Sequence, residues 1–533
     1  MVAVSPLSAP FSSPPPSSAS SSARPSLVPS LSADVPNFFL RSVSWICSIG
    51  GFLFGYSASV INGSLMFMER ELGLNSFTKG VVTSSIIVGA AIGAPIGGHL
   101  ADHFGRKRVM ISLDLLFIAG VFATTFAPNF WWLIPFRAIL GFAAGGHCSV
   151  GPVFLAEIST PESRSQNVTL NSLFIVLGEL VAFAVCASLG NIFHNIDSIW
   201  RWMNLVVVLP AVILLFCHCL FVPESPRWLV GADRMEQAYS TLRRLRRTTV
   251  QTEREIHEIG NIAMRKAAQQ FDAAADNDET INGLMSILRT KWTRALLLIG
   301  LGIATTQQIY GVSMAMYYGT EVLRNIGMDD RVALIANISI GLVSFLSTWL
   351  GLLLIDRMGR RRMLMIGQFG AVCSHLAIVV CAQCIPEGPT RAWAILGCLL
   401  VFLVFFQASI GPVTWLLLAE IFPLEIRGIG MGLSTLAIWV TNCAEGLLFP
   451  MALDQLGYPG TFLLLALLGL FALAFVWRFM PETRRKSLEE LEKEFQHGDW
   501  QALKKPGEKR RNLRRKVERT LSKIEEEERG ERY

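Results

Sequence analysis

The chain has 533 residues, 52% of them hydrophobic and only 17% charged, and its mean hydropathy is +0.44. That balance is hard to reconcile with a soluble globule and calls for a polytopic membrane protein. The formal net charge of +6 is what basic loops on one membrane face produce, so it calls for no nucleic-acid partner.

Residues 1–38 form a Ser- and Pro-rich segment with a single base, Arg24, and no apolar core of a secretory signal. Disorder is expected there, with a transit peptide as the alternative because no acid precedes Asp34. Apolar runs of membrane-crossing length follow at 41–66, 79–101, 109–127, 130–156, 166–190 and 199–222. They make an N-terminal six-helix half, 39–222. A polar stretch, 223–291, carries Arg243, Arg244, Arg246 and Arg247, then Glu253, Glu255 and Glu258. It reads as a cytoplasmic linker of short amphipathic helices. Six more runs, at 292–319, 332–355, 363–384, 392–418, 429–450 and 460–480, make a C-terminal half, 292–483. Residues 484–533 are a charged tail. The expectation is an all-α fold of about twelve transmembrane helices in two halves. An even count of spans puts both termini in the cytoplasm, in a multi-pass protein of the cell membrane.

Three motifs recur at equivalent places in the two halves, which points to an internal duplication. Gly97–Arg108 ends in Asp102, Gly105 and Arg106; its copy, Gly351–Arg362, ends in Asp356, Gly359 and Arg360. Glu157, Pro161 and Arg164 match Glu420, Pro423 and Arg427. Pro223-Glu224-Ser225-Pro226-Arg227-Trp228 matches Pro481-Glu482-Thr483-Arg484. Glycine allows a tight turn, proline ends a helix, and the bases mark the inner side. Partly buried acids and bases that recur together suggest a charge latch, with Asp102, Arg106, Glu157 and Arg164 in one half and Asp356, Arg360, Glu420 and Arg427 in the other. Static topology signals are the plainer alternative. Two six-span halves suit a transporter with solute near the midplane.

These motifs, with Gly55-Tyr56, Arg137, Gln307-Gln308-x-x-Gly311, Tyr317-Tyr318, Gly411-Pro412-x-x-Trp415 and Ser487-Leu488-Glu489-Glu490, resemble the sugar porter branch of the major facilitator superfamily over about residues 50–495. The wording is most similar to inositol and pentose symporters. The resemblance implies alternating access and a pocket formed by Gln307, Gln308, Trp415, Trp439 and Asn442, with Tyr318 in the same set. Amides offer donors and acceptors to hydroxyls, and indole gives a flat wall. Ser172 and Ser313 stand where the family commonly has longer amides. Ser57 stands where its proton-coupled members carry an acid.

Glu179, Glu445, His147 and Arg137 lie inside apolar runs, where ionisable groups are costly. Arg137 lies 20 residues before Glu157, about 30 Å along a helix, and Glu179 lies 15 after Arg164, about 22 Å. A Glu179–Arg137 pair is therefore expected as the proton coupler, with uniport as the alternative. Glu445 is expected either in the cavity, favouring an amine-bearing solute, or bonded to a neighbouring helix. Cys217, Cys219, Cys381 and Cys384 read as small buried side chains, with no disulfide framework, metal set or cofactor. The expected function is secondary transport, by a monomer, of a sugar or a cyclitol such as myo-inositol, possibly with protons. An organic-cation carrier and a nutrient sensor are the alternatives, and no enzyme constellation stands out.

Overall fold

Hydrocarbon offers the backbone no hydrogen-bond partner, so each apolar run must fold as a helix. The computed structural model describes residues 38–160, 163–246, 248–275, 291–422 and 426–482, without the side chains of Arg164, Asp356 and Arg427 among others. Residues 1–37 and 483–533, with the disorder and tail expectations placed on them, lie outside the described residues.

The first five spans are α1 (Phe38–Leu72), α2 (Ser76–Phe104), α3 (Arg106–Thr125), α4 (Phe130–Ile158) and α5 (Arg164–Ile192). The sixth is α6 (Ile199–Leu205) running into α7 (Val208–Leu220). The linker holds α8 (Pro226–Gly231), α9 (Met235–Leu245) and α10 (Thr249–Ala275). α10 is 27 residues long, so only α8 and α9 are the short helices expected.

The C-terminal half is less continuous. Its first span is α11 (Lys291–Gln308) and α12 (Val312–Asn325), separated at Gly311, which adopts φ +77°. Then come α13 (Asp330–Met358) and α14 (Arg360–Cys384). The tenth span is α15 (Pro389–Phe405), one π-helical turn (Phe406–Ile410) and α16 (Gly411–Ile421). The last helix, α17 (Arg427–Phe479), has 53 residues, about 80 Å if straight and far longer than a bilayer core. Gly457, at φ 65° and ψ 172°, breaks it into two arms. Eleven described stretches are long and apolar enough to cross a membrane; this break makes twelve crossings of them.

Small residues let the N-terminal helices touch. A Cβ on Gly55 of α1 would lie 1.9 Å from the Ile175 carbonyl oxygen of α5, and one on Gly141 of α4 would lie 2.0 Å from that of Ile86 on α2. With no hydrophobic drive between helices in lipid, such backbone contact supplies the packing. The linker docks on the N-terminal half. Arg246 pairs with Glu255 and donates to the Ile158 carbonyl at 2.8 Å, satisfying the end of α4. Leu229, Val230, Ala238, Leu242 and Ile259 form its own small core. All ten cysteines are free, and Cys219, Cys373 and Cys384 are exposed, which corrects the buried reading for Cys219 and Cys384. On a helix facing lipid, a small apolar thiol needs no burial.

Candidate functional site

The linker end of the molecule carries the repeated motifs, and the structure shows how they interlock. Arg106 Nη2 lies 2.7 Å from Asp102 Oδ1 and 2.9 Å from Glu157 Oε1. Ser225 Oγ donates to Glu157 Oε2 at 2.5 Å, and Trp228 Nε1 donates to the Asp102 carbonyl at 2.9 Å. Glu224 accepts the backbone N–H groups of Arg106 and Lys107, the exposed donors at the start of α3. Gly105, at φ 98°, is needed there twice, since a Cβ would meet Glu224 Oε2 at 2.5 Å. The other half repeats the device. Gly359 has φ 89°, Glu482 accepts the Arg360 N–H at 3.1 Å, and Arg360 Nη2 lies 3.0 Å from Glu420 Oε1. The expected acid–base pairs Arg106–Glu157 and Arg360–Glu420 are thus present, each within its own half. Arg164, Asp356 and Arg427 fall outside the described side chains. The clamping role of Glu224 and Glu482 was not foreseen.

Ion pairs between the halves lie at the opposite end. Lys79 joins Glu69 and Glu321, at 3.0 and 2.8 Å, and Asp330 holds Arg70 and Arg324, both at 2.6 Å. Ser76 bonds Asp454. Asn62 of α1 donates to the Ala315 and Met316 carbonyls and accepts the Thr320 N–H at 2.7 Å. Among the described residues, the ion pairs joining the halves all lie in this far portion, and nearer mid-membrane Ser84 Oγ donates to the Cys443 carbonyl at 3.1 Å.

Mid-membrane, the two helix breaks meet. Gln307, at the end of α11, donates to the Gly411 carbonyl at 3.4 Å, beside the π-helical turn. Gln308 Oε1 accepts from Ser313 at 3.5 Å. Tyr317 donates to Asn442 Oδ1 at 3.5 Å and lies within electrostatic reach of Glu179, Glu445 and Arg137. Trp439, one turn before Asn442, packs edge-on against Phe54 across the halves, at 5.9 Å. Gln307 Oε1, Trp439 Nε1, Glu179 Oε2 and Glu445 Oε2 are buried with no hydrogen-bond partner.

Several expected residues stand elsewhere. Tyr318 is fully buried and donates to the Gly446 carbonyl at 2.6 Å, so Tyr317 takes its place. Adjacent helical residues point about 100° apart, which a Tyr-Tyr pair in a sequence leaves undecided. Ser172 is exposed on α5, and Trp415 is 42% exposed on α16. Neither has a contact that places it with the glutamines. Glu445 Oε1 accepts the Met314 N–H at 3.3 Å where α12 begins after Gly311. No ion pair joins Glu179 to Arg137 among the described residues, so the expected contact between them is not made. Arg137 Nε is drawn instead to the Val82 carbonyl of α2 at 3.0 Å, while Nη1 and Nη2 are buried without a partner. Ser57, in place of the family's acid, packs among Tyr56, Val60, Leu140 and Asn204 inside the N-terminal half.

The model of the family described as sugar (and other) transporter matches residues 43–495. The chain is 41% identical over 469 residues to the major myo-inositol transporter of Bacillus subtilis, covering 88% of this chain and 96% of that one. It is 34% identical over 447 residues to a glucose transporter of Staphylococcus epidermidis, covering 84% and 95%. Its fold is similar to the inward open conformation of the xylose transporter from E. coli, with a TM-score of 0.70 at 25% identity over 85% of this chain and 99% of that one.

Proposed function

The chain belongs to the sugar (and other) transporter family, and we propose from its mid-membrane geometry that it carries a cyclitol such as myo-inositol. It is an integral, multi-pass membrane protein and a secondary transporter rather than an enzyme. The observation that carries the proposal is the meeting of the two helix breaks at Gln307 and Gly411. Polar atoms of Gln307, Trp439 and Glu179 are buried there without partners. Hydroxyls are both donors and acceptors, so a ring with hydroxyls on several carbons matches an amide, an indole N–H and a carboxylate together. In this reading Gln307, Gln308, Ser313 and Asn442 bond the ring and Trp439 flanks it. Tyr317 positions Asn442, and Glu179 accepts a hydroxyl from the N-terminal half.

Glu445 Oε1 accepts the Met314 N–H, and its free Oε2 is a further acceptor for a hydroxyl. The basic turns Arg106–Arg108 and Arg360–Arg362 put the linker end in the cytoplasm, with both termini, by the positive-inside rule. The joined far ends then make this an inward-facing state of alternating access. Both halves lie in one chain, so a monomer suffices.

Counterflow of labelled myo-inositol into liposomes holding the purified protein tests the reading. Exchange of myo-inositol, competed by other polyols, is expected. Exchange of amine-bearing solutes alone would overturn it.

A further inference from the structure

Deep in the N-terminal half, away from both the solute site and the far ion pairs, three ionisable side chains from three spans meet. Asp114 of α3 is fully buried. Its Oδ2 lies 2.6 Å from His218 Nδ1 of α7, and its Oδ1 lies 3.0 Å from His147 Nε2 of α4. The imidazoles lie nearly parallel, with centroids 6.1 Å apart. All three side chains are at most 2% exposed. Asp114 is eight residues beyond Arg106 and His147 ten before Glu157, so the cluster sits about 12–15 Å above the linker-end motifs.

A cluster serving only to stitch helices would use its polar atoms. Here one carboxylate faces two imidazoles, and His218 Nε2 is buried with no hydrogen-bond partner. Charge gives the second argument. With both imidazoles neutral, the cluster is a bare carboxylate in a membrane interior, an arrangement that burial strongly opposes. One added proton makes it an ion pair of zero net charge, and a second would leave it positive. The cluster is therefore neutral overall when it holds one proton beyond the carboxylate and two neutral imidazoles. No group of the described residues has the donor set for a metal ion.

We propose that Asp114, His147 and His218 form the proton-binding site through which solute movement is coupled to proton movement. The proposal rests on the transport reading above. A proton adds to one imidazole nitrogen, Asp114 stays anionic, and the same proton leaves to water at the other face, with no other bond made or broken. The cluster touches the moving parts through α1. A Cβ on Gly50 would lie 3.3 Å from His147 Nδ1, and Cys47 is within electrostatic reach of Asp114. α1 carries Asn62, which bonds the C-terminal half. The other titratable groups on the packed elements are Arg137, Cys148 and Glu157 on α4, Cys217 and Cys219 on α7, and Arg106, Lys107 and Arg108 on α3. α2 adds Lys79, Asp102 and the exposed His99 and His103, α6 adds Arg201, and α1 adds Arg41, Cys47, Tyr56, Glu69, Arg70 and Glu71.

The test uses the full chain in liposomes with a trapped pH dye and myo-inositol as solute. Wild-type uptake should acidify the lumen, and a pH gradient should drive accumulation. Asp114→Asn should keep counterflow within about twofold of wild type while losing both. The double variant His147→Gln/His218→Gln should do the same and carries the test if Asp114→Asn does not fold. Wild-type uptake without a lumenal pH change would overturn the proposal, as would either variant accumulating solute like wild type. Loss of counterflow in both variants would also overturn it, because the cluster would then serve the fold. Absence of wild-type counterflow for every polyol would sink the transport reading itself.

Discussion

The two halves repeat each other at the linker end and part company in mid-membrane. At the linker end Gly105 and Gly359 make the same turn, Glu224 and Glu482 cap the helix that follows, and Arg106 and Arg360 reach Glu157 and Glu420. Above that level the first five N-terminal spans are unbroken helices, close enough for backbone contact at Gly55 and Gly141, with Asp114, Arg137 and His147 buried among them. The C-terminal half is opened at Gly311, at Phe406–Ile410 and at Gly457. Broken helices free backbone groups and side-chain positions for a solute, as they do in transporters generally. The difference separates two jobs. A rigid half holds charge, and a broken half holds cargo.

The rigidity of the first half offers the largest effect by which to break this comparison. Gly141→Ala puts a methyl 2.0 Å from the Ile86 carbonyl oxygen and should cost roughly 3 kcal/mol or more, seen as loss of monodisperse protein in detergent. Gly397→Ala on α15 meets nothing within 4 Å and should leave the melting temperature unchanged or slightly raised. Equal damage at both would remove the contrast. Next in size is the cargo side. Gln307→Leu should lower kcat/KM for myo-inositol by about 30-fold, on the order of 2 kcal/mol, at a wild-type melting temperature. Ser57→Ala, in the N-terminal interior, should change transport less than twofold.

The shared linker-end device predicts a smaller and symmetric effect. Glu224→Gln and Glu482→Gln should each cost about 1–2 kcal/mol in thermal unfolding. An effect confined to one of them would show that the duplicated motifs have diverged. The smallest change belongs to the far end. Arg70 and Asp330 are 34% and 24% exposed, so Asp330→Asn should cost no more than about 1 kcal/mol. Its signature is kinetic, with faster amide exchange across residues 62–72. Unchanged exchange there would mean these pairs do not hold the far end shut.

Much of the repeated architecture was legible in the sequence because it rests on local signals. Span lengths, turn glycines and the spacing of Arg106 from Glu157 all follow the helix repeat. The gate pairs came through for that reason. The Arg137–Glu179 pair did not, because residue spacing fixes height along a helix and leaves rotation about it open. Arg137 turned to α2, at Val82. Rotation also decided between Tyr317 and Tyr318. Asp114, His147 and His218 are scattered over a hundred residues, so only tertiary packing unites them. A signal was there nonetheless: Asp114 is an acid inside the third apolar run, as costly there as Glu179 and Glu445 are in theirs. The far-end charges of Glu69, Lys79, Glu321, Arg324 and Asp330 likewise sit at span ends, where a charge alone is unremarkable.

The most direct test of the account is a structure of the protein with myo-inositol bound. The ring is expected beside Trp439, bonded to Gln307 and Asn442, at the junction of the α11–α12 and α15–α16 breaks. A ring seated instead among α1, α3 and α4 of the N-terminal half would contradict it.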